Sequence, residues 1–141
     1  MKEARKKVLF VCTHNSARSQ MAEGLLNSLY GDRYQACSAG TEPSVLNLYA
    51  IQVMAEIGID ISKNRSKSIN EFMKEKFDYV ITVCDHANET CPFFPGGMKR
   101  LHRGFEDPAS FKGIEADTLS VFRRIRNEIK EWIKKQFGPD S

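Results

Sequence analysis

The sequence predicts an α/β protein: a single domain carrying a four-stranded parallel sheet flanked by helices on both faces. Three observations predict it. Short β-branched apolar runs alternate with amphipathic stretches along the chain, the pattern that right-handed strand–helix–strand crossovers leave. The strongest runs, KVLFVC and FDYVITVC, are nearly continuously apolar, as strands buried on both faces are. The chain has 141 residues, 41% hydrophobic and 28% charged, the size and balance of one domain. No linker, repeat or low-complexity tract divides residues 1–141.

The elements follow in order. After a polar, flexible stretch over residues 1–6, Lys7–Cys12 is the first strand. Ala17, Met21, Leu25 and Leu29 recur every four residues and predict a helix that stops near Gly31. Tyr34–Ala39 reads as a second strand closed by Gly40. A second helix is expected over Leu46–Glu56, with Leu48, Ile51 and Ala55 on one face and Gly58 as its stop. Ile69–Lys76 reads as a short helix, Phe77–Cys84 as the third strand and Met98–Leu101 as the fourth. From about Asp117, Phe122, Ile125, Ile129 and Ile133 form one stripe of a last helix. The basic run Arg123-Arg124-Ile125-Arg126 is then its solvated face.

The N-terminus, MKEARKK, lacks the apolar segment of a secretory signal, and no apolar run approaches the ~20 residues of a membrane span. A cytoplasmic monomer is expected, in a compartment where thiols stay reduced and cysteines are more often catalytic or metal-binding than structural. The net charge of +3 suits an anionic ligand and is too small to argue for nucleic acid. Four cysteines and three histidines are therefore the groups to explain.

Cys12 ends the first strand and is followed by Thr13-His14-Asn15-Ser16-Ala17-Arg18-Ser19, then a helix. In such a turn the backbone N–H groups of Thr13, His14, Asn15, Ser16, Ala17 and Arg18 can converge on an anion, reinforced by the helix dipole. The Arg18 guanidinium adds a planar fork that grips two oxygens of a tetrahedral oxyanion. The same field is expected to pull the Cys12 thiol toward its thiolate, the nucleophilic form. Ser19 is placed to donate a hydrogen bond to that sulfur, and Asn15 to hold the tight turn through its side chain. The competing reading is a merely buried cysteine at a strand end. Asp107, ahead of Pro108 in GFEDPA, is the candidate proton donor to a departing oxygen.

Cys84 ends the third strand and Cys91 follows seven residues later. Three readings fit them. One is a zinc site with Cys84, His86, Cys91 and His102, although the usual Cys-x2–4-Cys spacing is missing. The second is a pair of structural thiols. The third is a relay, in which Cys84 attacks an adduct on Cys12 and Cys91 takes over the disulfide by exchange. As a regular helix the 84–91 span would rise about 10.5 Å, whereas a disulfide needs Cα atoms within roughly 7 Å. The relay therefore requires this segment to loop or unwind. Cys37 reads as a core thiol, His14 as a source of positive character in the loop, and His86 and His102 as surface or turn residues.

The segments KVLFVCTHNSARSQMAEG, SAGTEP, VITVCDHANETCPFFPG and HRGFEDPA, with the final helix, resemble the thioredoxin-coupled arsenate reductases built on the low-molecular-weight protein tyrosine phosphatase fold. The resemblance implies Cys12 as nucleophile, Arg18 and the loop amides as oxyanion binders, and Ser19 as thiolate stabiliser. It also implies Cys84 and Cys91 as relay thiols, arsenate as substrate with phosphate or sulfate as mimics, and thioredoxin as reductant. No cofactor is expected. The alternative is a tyrosine phosphatase or other phosphomonoesterase using Cys12, Arg18 and Asp107, but such enzymes usually carry tyrosine after their Asp-Pro, where this chain has Ala109 and Ser110. Some reductases of this kind also hold potassium near Asn15, Glu23 and Ser38, with an acidic residue completing the site. Here Lys67 stands in that place, and its ammonium can stand in for the cation.

Overall fold

The computed structural model describes residues 5–90 and 97–139. Strands β1 (Lys6–Cys12), β2 (Tyr34–Gly40), β3 (Phe77–Thr82) and β4 (Gly97–His102) form one sheet in the order β2-β1-β3-β4, every neighbouring pair parallel. Val8, Leu9, Phe10 and Val11 are all 0% exposed. Successive strand residues point to opposite faces, so the sheet is covered on both sides of β1. Lys6 pairs with Tyr34, so the strand reaches one residue into the stretch expected to be flexible.

Helix α1 (Arg18–Tyr30) returns from β1 to β2 and buries Met21, Ala22, Leu25 and Leu26. It packs against β1, β2 and the long α4 (Glu115–Phe137), whose Phe122, Ile125, Ile129 and Ile133 are fully buried. The stripe read from the sequence is thus the core face of α4. Arg126 departs from the expected solvated run: it is buried, and its Nη1 donates to the Val53 carbonyl at 2.8 Å and pairs with Glu56 at 2.9 Å. The last carbonyls of a helix lack intrahelical donors, and Arg126 supplies one to α2 (Leu48–Ala55).

That helix also turns a different face inward than expected. Ala50, Val53 and Met54 are buried, while Ala55 is exposed and Leu48 is 78% exposed. Asn47 sets the phase, because its Oδ1 accepts from the Tyr49 and Ala50 N–H groups and starts the helix at Leu48. Gly58, with φ 81°, takes the left-handed turn after its end. The helix expected over Ile69–Lys76 is a single 3₁₀ turn, Ile69–Phe72, capped by Ser68. Lys74, Glu75 and Lys76 are exposed and offer no apolar face to extend it. The strand expected to end at Cys84 stops at Thr82, and Cys84 instead precedes a short helix, α3 (Asp85–Thr90).

The chain runs from β1 outward to β2 and then crosses to β3 on the other side of β1. That reversal places a crevice at the carboxyl ends of β1 and β3, where open α/β sheets bind ligands. The two ends are stitched together by Val83 N–H donating to the Val11 carbonyl at 2.9 Å. Beside them, Gly40 ends β2 directly against the segment after Cys12. A Cβ on Gly40 would lie 2.6 Å from Thr13 O and 2.9 Å from Asn15 N, both backbone atoms. Gly40→Ala should therefore displace the 12–17 segment and lower kcat/KM by about a hundredfold. Steady-state kinetics of a folded variant, verified by circular dichroism, checks this.

Candidate active site

The segment between β1 and α1 has every carbonyl from Cys12 to Ala17 taken by a donor outside the loop's concavity. Thr41, Glu42, Ser44 and Asn47 donate backbone N–H groups to the carbonyls of Cys12, Thr13, His14 and Ser16. Ser66 Oγ also donates to His14 O, Gln20 Nε2 donates to Asn15 O, and Met21 N–H donates to Ala17 O. In a planar trans peptide the C=O and the next N–H point opposite ways. Carbonyls fastened outward thus leave the N–H groups turned inward, which is an anion nest. The N-terminus of α1 has no side-chain cap, so its free N–H groups open onto the same space.

The Cys12 sulfur sits at the bottom of this nest, 2.8 Å from Ser19 Oγ and 3.2 Å from the Asn15 N–H that donates to it. Asn15 has φ 51°, in the left-handed region, and its side chain accounts for that. Oδ1 accepts from Lys67 N–H at 2.8 Å, which makes the other atom Nδ2, and Nδ2 donates to Ser19 Oγ at 2.7 Å. With its oxygen accepting from Asn15, Ser19 has its own hydrogen free for the Cys12 sulfur.

Arg18 begins α1 and spans the mouth of the loop. Its Nη1 donates to Phe105 O at 3.1 Å, and its Nη2 lies 3.6 Å from Asp107 Oδ2. Asp107 is fixed in turn by its Oδ1 accepting from Ala109 N–H at 3.0 Å. The topology thus brings Cys12, Arg18, Ser19 and Asp107 to one crevice.

The Cys12 thiol does not follow the sequence expectation of a lowered pKa. Burial pushes it up, and the Ser19 hydroxyl and N–H with the Arg18 guanidinium only oppose that rise. The physical reason is visible in the geometry. Water is excluded from the sulfur, and Arg18 faces the Asp107 carboxylate. An oxyanion in the nest would draw Arg18 toward itself.

Cys84 lies on the β3 side of the crevice, buried, close enough that its charge also pushes the Cys12 thiol up. Thr13 Oγ1 is 3.3 Å from the Cys84 sulfur, and Ala87 N–H donates to that sulfur at 3.4 Å. Thr13 was legible as a loop amide, but its side-chain contact with Cys84 was not, because nothing local in the sequence sets it. Cys91 lies outside the described residues. His14 is exposed, with Nδ1 2.9 Å from Glu42 O, so its ring turns out of the nest. His86 pairs with Glu42, and His102 with Asp85 and Thr82. Cys37 is half-buried on β2, not sealed in the core. Among the described residues, no three His, Cys, Asp or Glu side chains converge as a metal site.

Beneath the nest, Glu23 and Lys67 face each other at 3.8 Å with side chains 13% and 15% exposed. Glu23 accepts from Ser38 Oγ at 2.8 Å and Asn64 Nδ2 at 3.0 Å. These residues do not fit a bound potassium ion. An ammonium already faces the carboxylate, the neighbouring hydroxyl and amide point hydrogens at it, and Asn15 Oδ1 is occupied by Lys67 N–H and Gln20 Nε2.

Fold and crevice together define a phosphatase-like anion site. A family model described as low molecular weight phosphotyrosine protein phosphatase matches residues 7–138, and the chain belongs to that family. Within it, the chain is 45% identical over 130 residues to an arsenate reductase of Halalkalibacterium halodurans, covering 92% of this chain and 94% of that protein. A solved arsenate reductase in its phosphate-binding state is 36% identical, with TM-score 0.79 and coverage of 92% of this chain and 95% of that one. A thioredoxin-dependent arsenate reductase of Corynebacterium glutamicum is 26% identical, with TM-score 0.68, covering 96% of this chain and 63% of that one.

Burial pushes the Glu23 carboxyl above the ordinary carboxylate range, against the Lys67 charge and the Ser38 and Asn64 hydrogen bonds. Folded Glu23 therefore holds its proton to higher pH than the unfolded chain does. Its contribution to stability is complete below the unfolded value and is lost as pH rises through the folded one. Glu23→Gln lacks that loss, so its stability relative to wild type should rise between about pH 4 and pH 8. Urea denaturation across this range checks the trend, and a relative fall would contradict it.

Proposed function

We propose that this chain reduces arsenate to arsenite by a three-thiol relay, with thioredoxin as the reductant. The observation that carries this reading is the second buried thiol. Cys84 stands at the nucleophile's own loop, in contact with Thr13 at 3.3 Å, where hydrolysis of a phosphate ester needs no thiol.

Arsenate binds in the nest of amides from Thr13 to Arg18, with Arg18 bidentate on its oxygens. The Cys12 sulfur attacks arsenic. Asp107 protonates the departing oxygen, and the thiol proton restores Asp107, so one water leaves and a thioester-like arseno adduct remains. Cys84, its sulfur held beside the Thr13 hydroxyl and the Ala87 N–H, attacks the Cys12 sulfur. The sulfur–arsenic bond breaks with its electron pair on arsenic. Arsenic is thereby reduced by two electrons and leaves as arsenite, and the two sulfurs become a disulfide. Cys91 attacks Cys84 and frees Cys12. Thioredoxin dithiol then takes the Cys84–Cys91 disulfide by exchange. Phosphate or sulfate occupies the nest as a mimic, no cofactor enters, and the protein works as a cytoplasmic monomer. Among the described residues, no helix is long and apolar enough to cross a membrane.

The test is arsenate-dependent oxidation of thioredoxin. Wild type should turn over, and Cys84→Ser and Cys91→Ser should each lose at least about a thousandfold. Hydrolysis of a small aryl phosphate, which needs only Cys12, Arg18 and Asp107, should survive in both. Full arsenate turnover in either variant would overturn the relay.

A further inference from the structure

Helix α3 follows Cys84 directly and is six residues long. An isolated helix shorter than about 12 residues is marginal in water, and α3 has little apolar surface to add. Ala87 is buried, whereas Asp85, His86, Asn88 and Glu89 are exposed. The place of α3 is therefore set by polar contacts from neighbouring elements. On one flank His86 reaches Glu42 at 3.3 Å, an exposed pair of the kind that contributes little. The flank toward β4 is tied more closely.

His102 ends β4 and uses both ring nitrogens. Its Nε2 lies 2.9 Å from Asp85 Oδ1, and its Nδ1 lies 2.8 Å from the hydroxyl of Thr82, a fully buried residue. A neutral ring with its hydrogen on Nε2 donates to the carboxylate and accepts from Thr82. A protonated ring donates to both, and Thr82 then gives its own hydrogen to Asn88 Oδ1 at 3.3 Å. In either form the ring joins the end of β3 to the first residue of α3. Two residues earlier, on the same face of β4, Arg100 Nη2 donates to Asn88 O at 2.8 Å. The turn after His102 fits the same contact closely, since a Cβ on Gly104 would lie 2.7 Å from Asp85 Oδ1. Cys84 is bound to the helix so held: its carbonyl accepts from Asn88 N–H at 3.1 Å and its sulfur from Ala87 N–H at 3.4 Å.

We propose that His102, through Asp85 and together with Arg100, clasps α3 and is a positioning residue for Cys84. The consequence for turnover rests on the relay reading and deepens it. While Cys84 is a thiol, the clasp keeps it buried beside Thr13 and the Cys12 loop. Pairing Cys84 with Cys91 needs Cα atoms within roughly 7 Å, where seven residues of regular helix rise about 10.5 Å. The clasp must then open. It therefore stabilises the dithiol relative to that disulfide and makes the disulfide easier to reduce.

The first readout is iodoacetamide labelling of the reduced full-length chain, with each cysteine followed by peptide mapping. Cys84 should react at least about tenfold faster in His102→Ala and at least about fivefold faster in Asp85→Ala than in wild type. Asp85→Ala alters only an exposed side chain and installs a better helix former, so helix propensity alone predicts the opposite sign. Asp85→Asn keeps the acceptor and should stay within about twofold of wild type. Cys12 in the same samples should also change by less than about twofold, which separates opening of α3 from loosening of the whole fold.

The second readout is the equilibrium of the Cys84–Cys91 pair with reduced and oxidised dithiothreitol, in chains that also carry Cys12→Ser. The two thiols give two electrons and two protons to oxidised dithiothreitol as their disulfide forms. Asp85→Ala should need at least about a fivefold higher ratio of reduced to oxidised dithiothreitol for half-reduction. The proposal is overturned if Cys84 labelling matches wild type in both alanine variants, if Cys12 accelerates as much as Cys84, or if the dithiothreitol equilibrium does not move. Labelling needs no turnover. If no Cys84–Cys91 disulfide forms even in wild type, the relay fails and labelling alone decides the clasp.

Discussion

The rest of the site depends on the outward fastening of the carbonyls between Cys12 and Ala17. A five-residue turn between a strand and a helix has no regular structure to orient its peptide planes. Here the planes are oriented from outside. The 41–47 segment lies alongside and donates to the carbonyls of Cys12, Thr13, His14 and Ser16, while Gln20 and Ser66 supply further donors. The inward N–H groups follow from peptide planarity, and the anion nest follows from them. The close approach requires Gly40, since any side chain there would meet the backbone of Thr13 and Asn15. Cys12 is thus held at the floor of the nest, and in the proposed reaction that preorganisation would lower the reorganisation cost.

A second consequence is the apposition of two thiols. β1 and β3 are neighbours at the reversal of strand order, so Cys12 and Cys84 emerge side by side. Thr13, the residue after Cys12, reaches Cys84 with its hydroxyl while its amide belongs to the nest. In the proposed relay, one loop would therefore serve both the first attack and the second. Burial pushes the Cys12 thiol up, against the Ser19 hydrogen bonds and the Arg18 charge. In the proposed reaction, part of its activation would then fall to the arriving anion, with Arg18 turning from Asp107 to the ligand.

Much of this was legible in the sequence, and what was not shares a cause. The buried strand at Lys7–Cys12, the loop with its arginine and serine, and the α4 stripe are local patterns, and each falls within a residue or two of its reading. The inward face of α2 is not legible locally, because its phase is set by the Asn47 cap and by Arg126 from a distant helix. Arg126 itself looked solvated because its partners, Val53 and Glu56, lie about 70 residues away in the chain. Helix α3 is short and polar, with no periodicity to announce it. The upward push on the Cys12 thiol is hidden for a related reason: nearby charges can be read from a motif, but the exclusion of water cannot.

The most direct measurement is to trap the first disulfide. Cys91→Ser is mixed with one equivalent of arsenate without reductant, and its disulfides are mapped by mass spectrometry while released arsenite is counted. A Cys12–Cys84 disulfide with about one arsenite per chain is the predicted result, since this electron pair balances one arsenate. A Cys12–Cys37 disulfide, or free thiols with arsenate unreduced, would contradict the account.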